Sequence, residues 1–285
     1  GTDGTPGKIV KVRLSDFTGA GSLTLNQGEN ELYSAVIDPA HGFVYFGAIT
    51  NPRGRVVKVR LSDFTRVGAL TLNDEERPRS MVIDTINGFA YLGTYRGVVV
   101  KVRLSDLTRI GALTLTSQSL LSAVVDPNAG YAYFGSGGSS VLRVRLSDFS
   151  NAFGTDVGSI NNNLQSAAID TVNGFAYFGT FTSPGRVVKV DLSNFGSTAS
   201  VTLNAGENYL SSAVVDTVNN FAYFGTGTQP GIVVKIRLGD GAPTPGLNTP
   251  FDFDGDGKAD VSVFRSENGS WYIQQSQNGF TGLAF

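Results

Sequence analysis

The chain has 285 residues, with 22 Lys plus Arg against 24 Asp plus Glu, a net charge of −2 and no cysteine. This balance excludes the basic stripe of a nucleic-acid-binding surface, and the missing cysteines exclude both a disulfide framework and thiol chemistry. Hydrophobic residues make up 41% and charged residues 16%, which suits a folded core, while no apolar run approaches the ~20 residues of a membrane-spanning helix.

The opening residues, Gly1 to Pro6, lack a signal-peptide pattern. An abundance of Gly, Asn, Ser and Thr with few lysines points to an extracellular or cell-surface protein. In chain order, the first strand signals are Ile9–Leu14 and Gly21–Leu25. A unit of four then follows: Ser34–Asp38 (A), Phe43–Gly47 (B), the Val-Lys-Val-Arg-Leu string from Val57 (C) and Leu70–Leu72 (D). Strand A recurs at Ser80–Asp84, Ser122–Asp126, Ser166–Asp170 and Ser212–Asp216, and strand B at Phe89, Tyr131, Phe175 and Phe221. Strand D recurs at Leu113–Leu115 and Val201–Leu203. Val, Ile, Tyr, Phe and Thr at short length between turn residues read as strands, and no window carries a helical period.

The turns agree. A joins B through Asp84-Thr-Ile-Asn-Gly88 and its relatives, in which Asp accepts backbone N–H bonds and Asn-Gly supplies positive φ. The basic residues Lys11, Lys58, Lys101, Arg143, Lys189 and Lys235 of strand C lie 47, 43, 42, 46 and 46 residues apart. A four-stranded meander repeated at that period predicts an all-β fold, a β-propeller of four-stranded antiparallel blades.

Five A–B–C units and a lone N-terminal C–D pair suggest six blades in a single domain over residues 1–285. Val261–Phe264 and Trp271–Gln274 supply the missing A and B strands, so the last blade is expected to be shared by both chain ends. Pro243, Pro245 and Pro250 crowd the fifth D strand, expected near Leu247–Thr249.

The Asp-x-x-x-Gly-Phe-Ala-Tyr-Phe-Gly segments, such as Asp170–Gly179, resemble the WD/YVTN-like bacterial propeller repeats over roughly residues 8–238, although the Trp-Asp dipeptide is absent. The resemblance implies the fold and leaves function open.

Asp252-Phe-Asp-Gly-Asp-Gly-Lys-Ala-Asp260 carries the sharpest chemistry. Ca²⁺ takes six to eight oxygens at about 2.3–2.6 Å, and the alternating carboxylates Asp252, Asp254 and Asp256, with Asp260 and the Lys258 carbonyl, can converge in a loop bent at Gly255 and Gly257. Without a cation, four close carboxylates repel one another. This segment, within residues 249–285, is similar to the calcium loops of FG-GAP (integrin-α-like, VCBS) repeats, which implies structural Ca²⁺.

One histidine, His41, sits in an A–B turn and reads as a turn residue. With no cysteine beside it, Ser-His-Asp, Cys-His and multi-His metal sites are excluded. The aspartates recurring once per repeat, Asp38 to Asp216 and Asp16 to Asp148, read as turn caps. Tyr45, Tyr91, Tyr133, Tyr177 and Tyr223 read as packing between blades, and the strand C bases as stems laid along apolar surface.

The B–C and D–A connections vary most from copy to copy and emerge together in a propeller. They place a candidate ligand face at Glu29, Glu31, Tyr33, Glu75, Arg77, Tyr95, Arg96, Phe181, Glu207 and Tyr209, with Asp74–Arg79 and Asn161–Asn163 around it. The expectation is a non-enzymatic module that binds a protein or glycan partner or self-assembles. The alternative is a glycosidase or lyase using Glu29, Glu31, Glu75 or Glu207, although no pair of these can be set at a glycosidase's separation.

Overall fold

The computed structural model describes residues 1–238 and three further strands at 261–265, 270–275 and 279–283. Within these residues every regular element is a strand, as the period-2 alternation requires. No helix among the described residues is long and apolar enough to cross a membrane.

The chain divides into two compact units, Gly1–Val10 with Gly21–Gly241, and Lys11–Ala20 with Ala242–Phe285. At the N-terminus β1 (Lys8–Val12) and β2 (Gly19–Thr24) pair as a two-stranded sheet. Four meanders of four strands follow. The first holds β3 (Leu32–Asp38), β4 (Phe43–Ala48), β5 (Arg53–Arg60) and β6 (Arg66–Asp74), and the second β7 (Pro78–Asp84), β8 (Phe89–Thr94), β9 (Val98–Arg103) and β10 (Thr108–Thr114). The third holds β11 (Leu120–Asp126), β12 (Tyr131–Ser136), β13 (Ser140–Arg145) and β14 (Ser150–Asp156). The fourth holds β15 (Leu164–Asp170), β16 (Phe175–Thr180), β17 (Arg186–Asp191) and β18 (Gly196–Thr202). A fifth sheet has three described strands, β19 (Leu210–Asp216), β20 (Phe221–Thr226) and β21 (Val233–Arg237), and its expected D strand near residues 247–249 lies outside the described residues.

In the second unit β22 (Val261–Arg265) pairs antiparallel with β23 (Ser270–Gln275), Val263 opposite Tyr272, as the A–B reading anticipates. A third strand, β24 (Gly279–Leu283), extends that sheet. Among the described residues the strands expected to share one four-stranded blade lie in two sheets, β1–β2 and β22–β23–β24. The reason is β24, which supplies β23 with a neighbour from its own segment.

Consecutive sheets meet through their first strands: β3 lies against β7, β7 against β11, β11 against β15 and β15 against β19. Strand A is therefore the inner strand of each blade. Serine hydroxyls tie these inner strands together. Ser80 Oγ donates to the Leu120 carbonyl at 3.0 Å, Ser122 Oγ to Leu164 at 2.7 Å and Ser166 Oγ to Leu210 at 3.0 Å. Each bond satisfies a buried polar group that would otherwise be costly.

The core lies between sheets. Tyr45 of the first sheet packs with Ala90, Leu92 and Val100 of the second, and Tyr133 of the third with Phe178 and Val188 of the fourth. Tyr45, Tyr91, Tyr133 and Tyr177 are thus inter-blade packing, each in a cluster with residues of the next sheet, whereas Tyr223 is partly exposed and its ring contact is Phe221 of its own strand. The strand C bases do what their alternation suggests. Lys58 Nζ sits 4.0 Å from the Phe43 ring centroid and donates to the Leu104 carbonyl at 2.9 Å. Lys101, Lys189 and Lys235 lie at 4.1, 3.8 and 4.0 Å from Phe89, Phe175 and Phe221. Cation–π contact compensates part of their desolvation, and that desolvation holds the Lys58 and Lys101 ammonium groups below the usual lysine range.

Candidate functional site

Turn chemistry divides the connections between two faces. The A–B and C–D turns are joined by backbone bonds, Leu61 N–H to the Gly42 carbonyl, Leu104 to Gly88, Leu146 to Gly130 and Leu192 to Gly174. In the A–B turns Asp84 accepts from the N–H groups of Ile86 and Asn87 at 3.1 Å and from Asn87 Nδ2 at 2.7 Å, and Asp170 does the same for Val172 and Asn173. Asp38 holds His41 through its backbone N–H and, at 2.8 Å, its Nδ1. In the C–D turns Asp63, Asp106 and Asp148 each accept the N–H two residues on and pair with Arg60, Arg103 and Arg145. These acids are structural caps, as their spacing suggests.

The other face gathers the B–C and D–A connections. In every repeat the first B–C residue donates its N–H to the carbonyl just before strand A: Ile49 to Glu31, Tyr95 to Arg77, Gly137 to Ser119, Phe181 to Asn163 and Gly227 to Tyr209. Two equivalent positions thus meet once per blade, and the chemistry they carry differs from blade to blade. This is the face on which a rigid scaffold presents its variable residues.

Two of the candidate glutamates, Glu29 and Glu207, and a third, Glu76, behave differently from a surface acid. Glu29 is fully buried, accepts the Asn26 N–H at 3.0 Å and is gripped by Arg66 of β6, whose Nε lies 3.0 and 2.9 Å from the two carboxylate oxygens. Glu76 repeats this arrangement with Asn73 N–H and Arg109 Nε, both at 3.0 Å. Glu207 accepts the Asn204 N–H at 2.8 Å. Glu29 and Glu207 therefore cap the D–A loops from within, and Glu29 has no surface to offer a ligand. Glu76, which stands at their equivalent position, is the residue that a reading centred on Glu75 passes over. The shared Asn-x-x-Glu spacing was its signal. Asn161 does related work, accepting from Arg186 Nε at 2.9 Å.

The remaining residues of the candidate face form two groups. Phe181 and Tyr209 stack at 4.9 Å between ring centroids and are both exposed. Tyr33 and Tyr95, 50% and 49% exposed, flank a guanidinium. Arg79 Cζ lies 4.7 Å from the Tyr33 centroid and 6.0 Å from that of Tyr95, and Arg77 Cζ lies 5.1 Å from Tyr95. Glu75 sits between Arg77 at 3.5 Å and Arg96 at 3.2 Å. Glu31 is exposed on the same face, at the position that Arg77 takes in the next repeat. Arg79 was legible only as the end of the Asp74–Arg79 stretch, because its partner Tyr33 belongs to another sheet.

Among the described residues no group of three His, Cys, Asp or Glu side chains is arranged to hold a metal. The calcium loop read at Asp252, Asp254, Asp256, Lys258 and Asp260 lies outside the described residues.

The repeated antiparallel meanders and their inner-strand contacts define the class: this is a β-propeller protein. Among solved structures the chain is similar to a Kuenenia stuttgartiensis hydrazine synthase, with a TM-score of 0.58 and 10% identity over 85% of this chain and 73% of that one. It is also similar to a structure described as U3-55K, with a TM-score of 0.65 and 10% identity over 96% of this chain and 84% of that one. At that identity the likeness is one of fold alone. No family model matches the sequence, and no curated protein matches it.

Proposed function

We propose that this propeller is a non-enzymatic interaction module, secreted or displayed at a cell surface, that binds a protein or glycan partner through its B–C and D–A face. The observation that carries the reading is the contrast on that face. Aromatic rings and guanidinium groups are exposed there, while Glu29 and Glu76 are buried in ion pairs and Glu75 is bracketed by arginines. A binding surface is enriched in Tyr and Arg, whereas acid–base hydrolysis needs carboxylates free to exchange protons. The repeat motif supports placing the chain in the WD/YVTN-like class, and Asp252–Asp260 supports structural Ca²⁺ in an FG-GAP-like loop.

A glycan array and a protein-capture screen, run beside a panel of glycoside substrates, test the reading. Binding without turnover is expected. Turnover that disappears on Glu31→Gln or Glu75→Gln would instead establish the carbohydrate-active enzyme. For the calcium loop, titration calorimetry on the wild type and on Asp254→Ala/Asp256→Ala is expected to show Ca²⁺ heat only in the former. Equal heats reject the site.

A further inference from the structure

We propose that the Tyr33–Arg79–Tyr95–Arg77 stack is a binding site for the carboxylate of an acidic sugar, a uronate within an oligosaccharide. The inference rests on the interaction-module reading and narrows it to one ligand chemistry. Four side chains from two neighbouring blades alternate ring and guanidinium, with Arg79 Cζ 4.7 Å from the Tyr33 centroid and Arg77 Cζ 5.1 Å from that of Tyr95. A guanidinium that lies over a ring can still donate from its N–H edge.

Those edges are poorly satisfied. Arg79 is half-buried and makes no hydrogen bond or ion pair among the described residues. Arg77 has a buried Nε without a partner, and its one carboxylate contact, Glu75, stands at 3.5 Å. By contrast Arg66 is paired to the buried Glu29 and Arg109 to Glu76. A partly desolvated cation without a counter-charge is unfavourable unless a ligand supplies one. Arg77, Arg79 and Arg96 against Glu75 and Glu31 leave the patch positive.

The rings select among anions. Tyr33 and Tyr95 are half-exposed, and they sit within about one ring's width of the guanidinium groups. A pyranose uronate carries an apolar C–H face and a carboxylate on the same compact ring, so one face can lie on a tyrosine while the carboxylate takes the planar guanidinium fork. An aspartate or glutamate side chain offers the charge without the face.

The test is calorimetric titration with a short oligogalacturonate, with its carboxyl-reduced neutral counterpart and with an oligoglutamate, at fixed calcium and at low and high salt. The wild type is expected to bind the uronate selectively and more weakly as salt rises. Arg79→Gln and Tyr95→Ala are each expected to weaken it about tenfold or more. Arg79→Lys is expected to fall between. Arg60→Gln, on the opposite face, is expected to match the wild type, and circular dichroism establishes that each variant is folded. Equal affinity for the neutral sugar, or no effect of Arg79→Gln, overturns the proposal. Binding of oligoglutamate in preference to the uronate also overturns it, while leaving an interaction module that recognises acidic peptide. No binding of any probe by the folded wild type overturns the uronate site alone, and the array screen then decides the broader reading.

Discussion

Glu29 shows how a residue can look functional and be structural. Its carboxylate is fully buried, with Arg66 and the Asn26 N–H as partners, and Arg66 keeps 26% of its side chain exposed. Removing one member of a buried pair leaves the other's charge uncompensated, at about 3–5 kcal/mol for full burial. Because Arg66 can still reach water, Glu29→Ala is expected to destabilise by about 2–3 kcal/mol in urea denaturation, and Arg66→Met/Glu29→Leu by less than the sum of the single changes. The exposed turn acids act through pH instead. Arg103 donates to Asp106 from Nε at 3.0 Å and from its terminal nitrogen at 2.8 Å. That side chain first, then Thr108, holds the Asp106 carboxyl well below the usual range. A folded-state value below the unfolded one of about 3.9 means the ionised form is favoured by folding. The contribution is therefore present above about pH 4 and is lost as pH falls through the folded value. A carboxyl NMR titration is expected to find Asp106 ionised well below pH 4 in the wild type, and Arg103→Gln is expected to raise its midpoint.

The strands were legible because two local signals coincide. Alternation in Val57-Lys-Val-Arg-Leu61 and turn chemistry at Asp84–Gly88 both act within one meander, so the A, B and C strands fall where the residues place them, whereas β14 (Ser150–Asp156) had no counterpart in the sequence reading and β18 starts five residues before Val201. The tertiary part was not legible. Gly279–Leu283 pairs with β23 despite two glycines in its run, a composition that weakens a strand when judged alone, and this pairing displaced the expected sharing of one sheet by both chain ends. Likewise the Arg79–Tyr33 contact joins β7 to β3, and no spacing within one repeat encodes it. Loop entries are a further element-scale device. Gly97, with φ of +73°, opens β9, and its N–H and carbonyl both bond locally, the carbonyl accepting from Leu115 at 2.9 Å. A Cβ there would collide with the Thr116 and Gln118 carbonyl oxygens. Gly97→Ala is thus expected to cost well over 1 kcal/mol, since both strain and backbone overlap oppose it. Gly88→Ala, at φ of +74° but with nothing within 4 Å, isolates the strain alone and is expected to cost less in the same thermal melt.

Across the unit of sheets, stability is a sum of sheets and of the interfaces between neighbours, as in other repeat arrays. The sheets are not equally covered. Val82, Val124 and Ala168 occupy one inner-strand position in the second, third and fourth sheets at 7%, 7% and 5% exposure, whereas Val214 of the fifth is 61% exposed. Val99, Val141 and Val187 are at most 3% exposed, whereas their counterpart Val233 is 70% exposed. At roughly 25 cal/mol per Å² of apolar surface, leaving two valines largely in water forfeits a few kcal/mol of interface energy relative to a central sheet. Local opening draws on that difference, because amide exchange reports the free energy of the smallest opening that frees each N–H. The slowest exchange is therefore expected in β8, β12 and β16, each the second strand of a sheet flanked on both sides, and faster exchange in β20 and β21. Hydrogen exchange followed by mass spectrometry resolves these segments, and protection of β20–β21 equal to that of β12 would show that the fifth sheet opens only with the whole array.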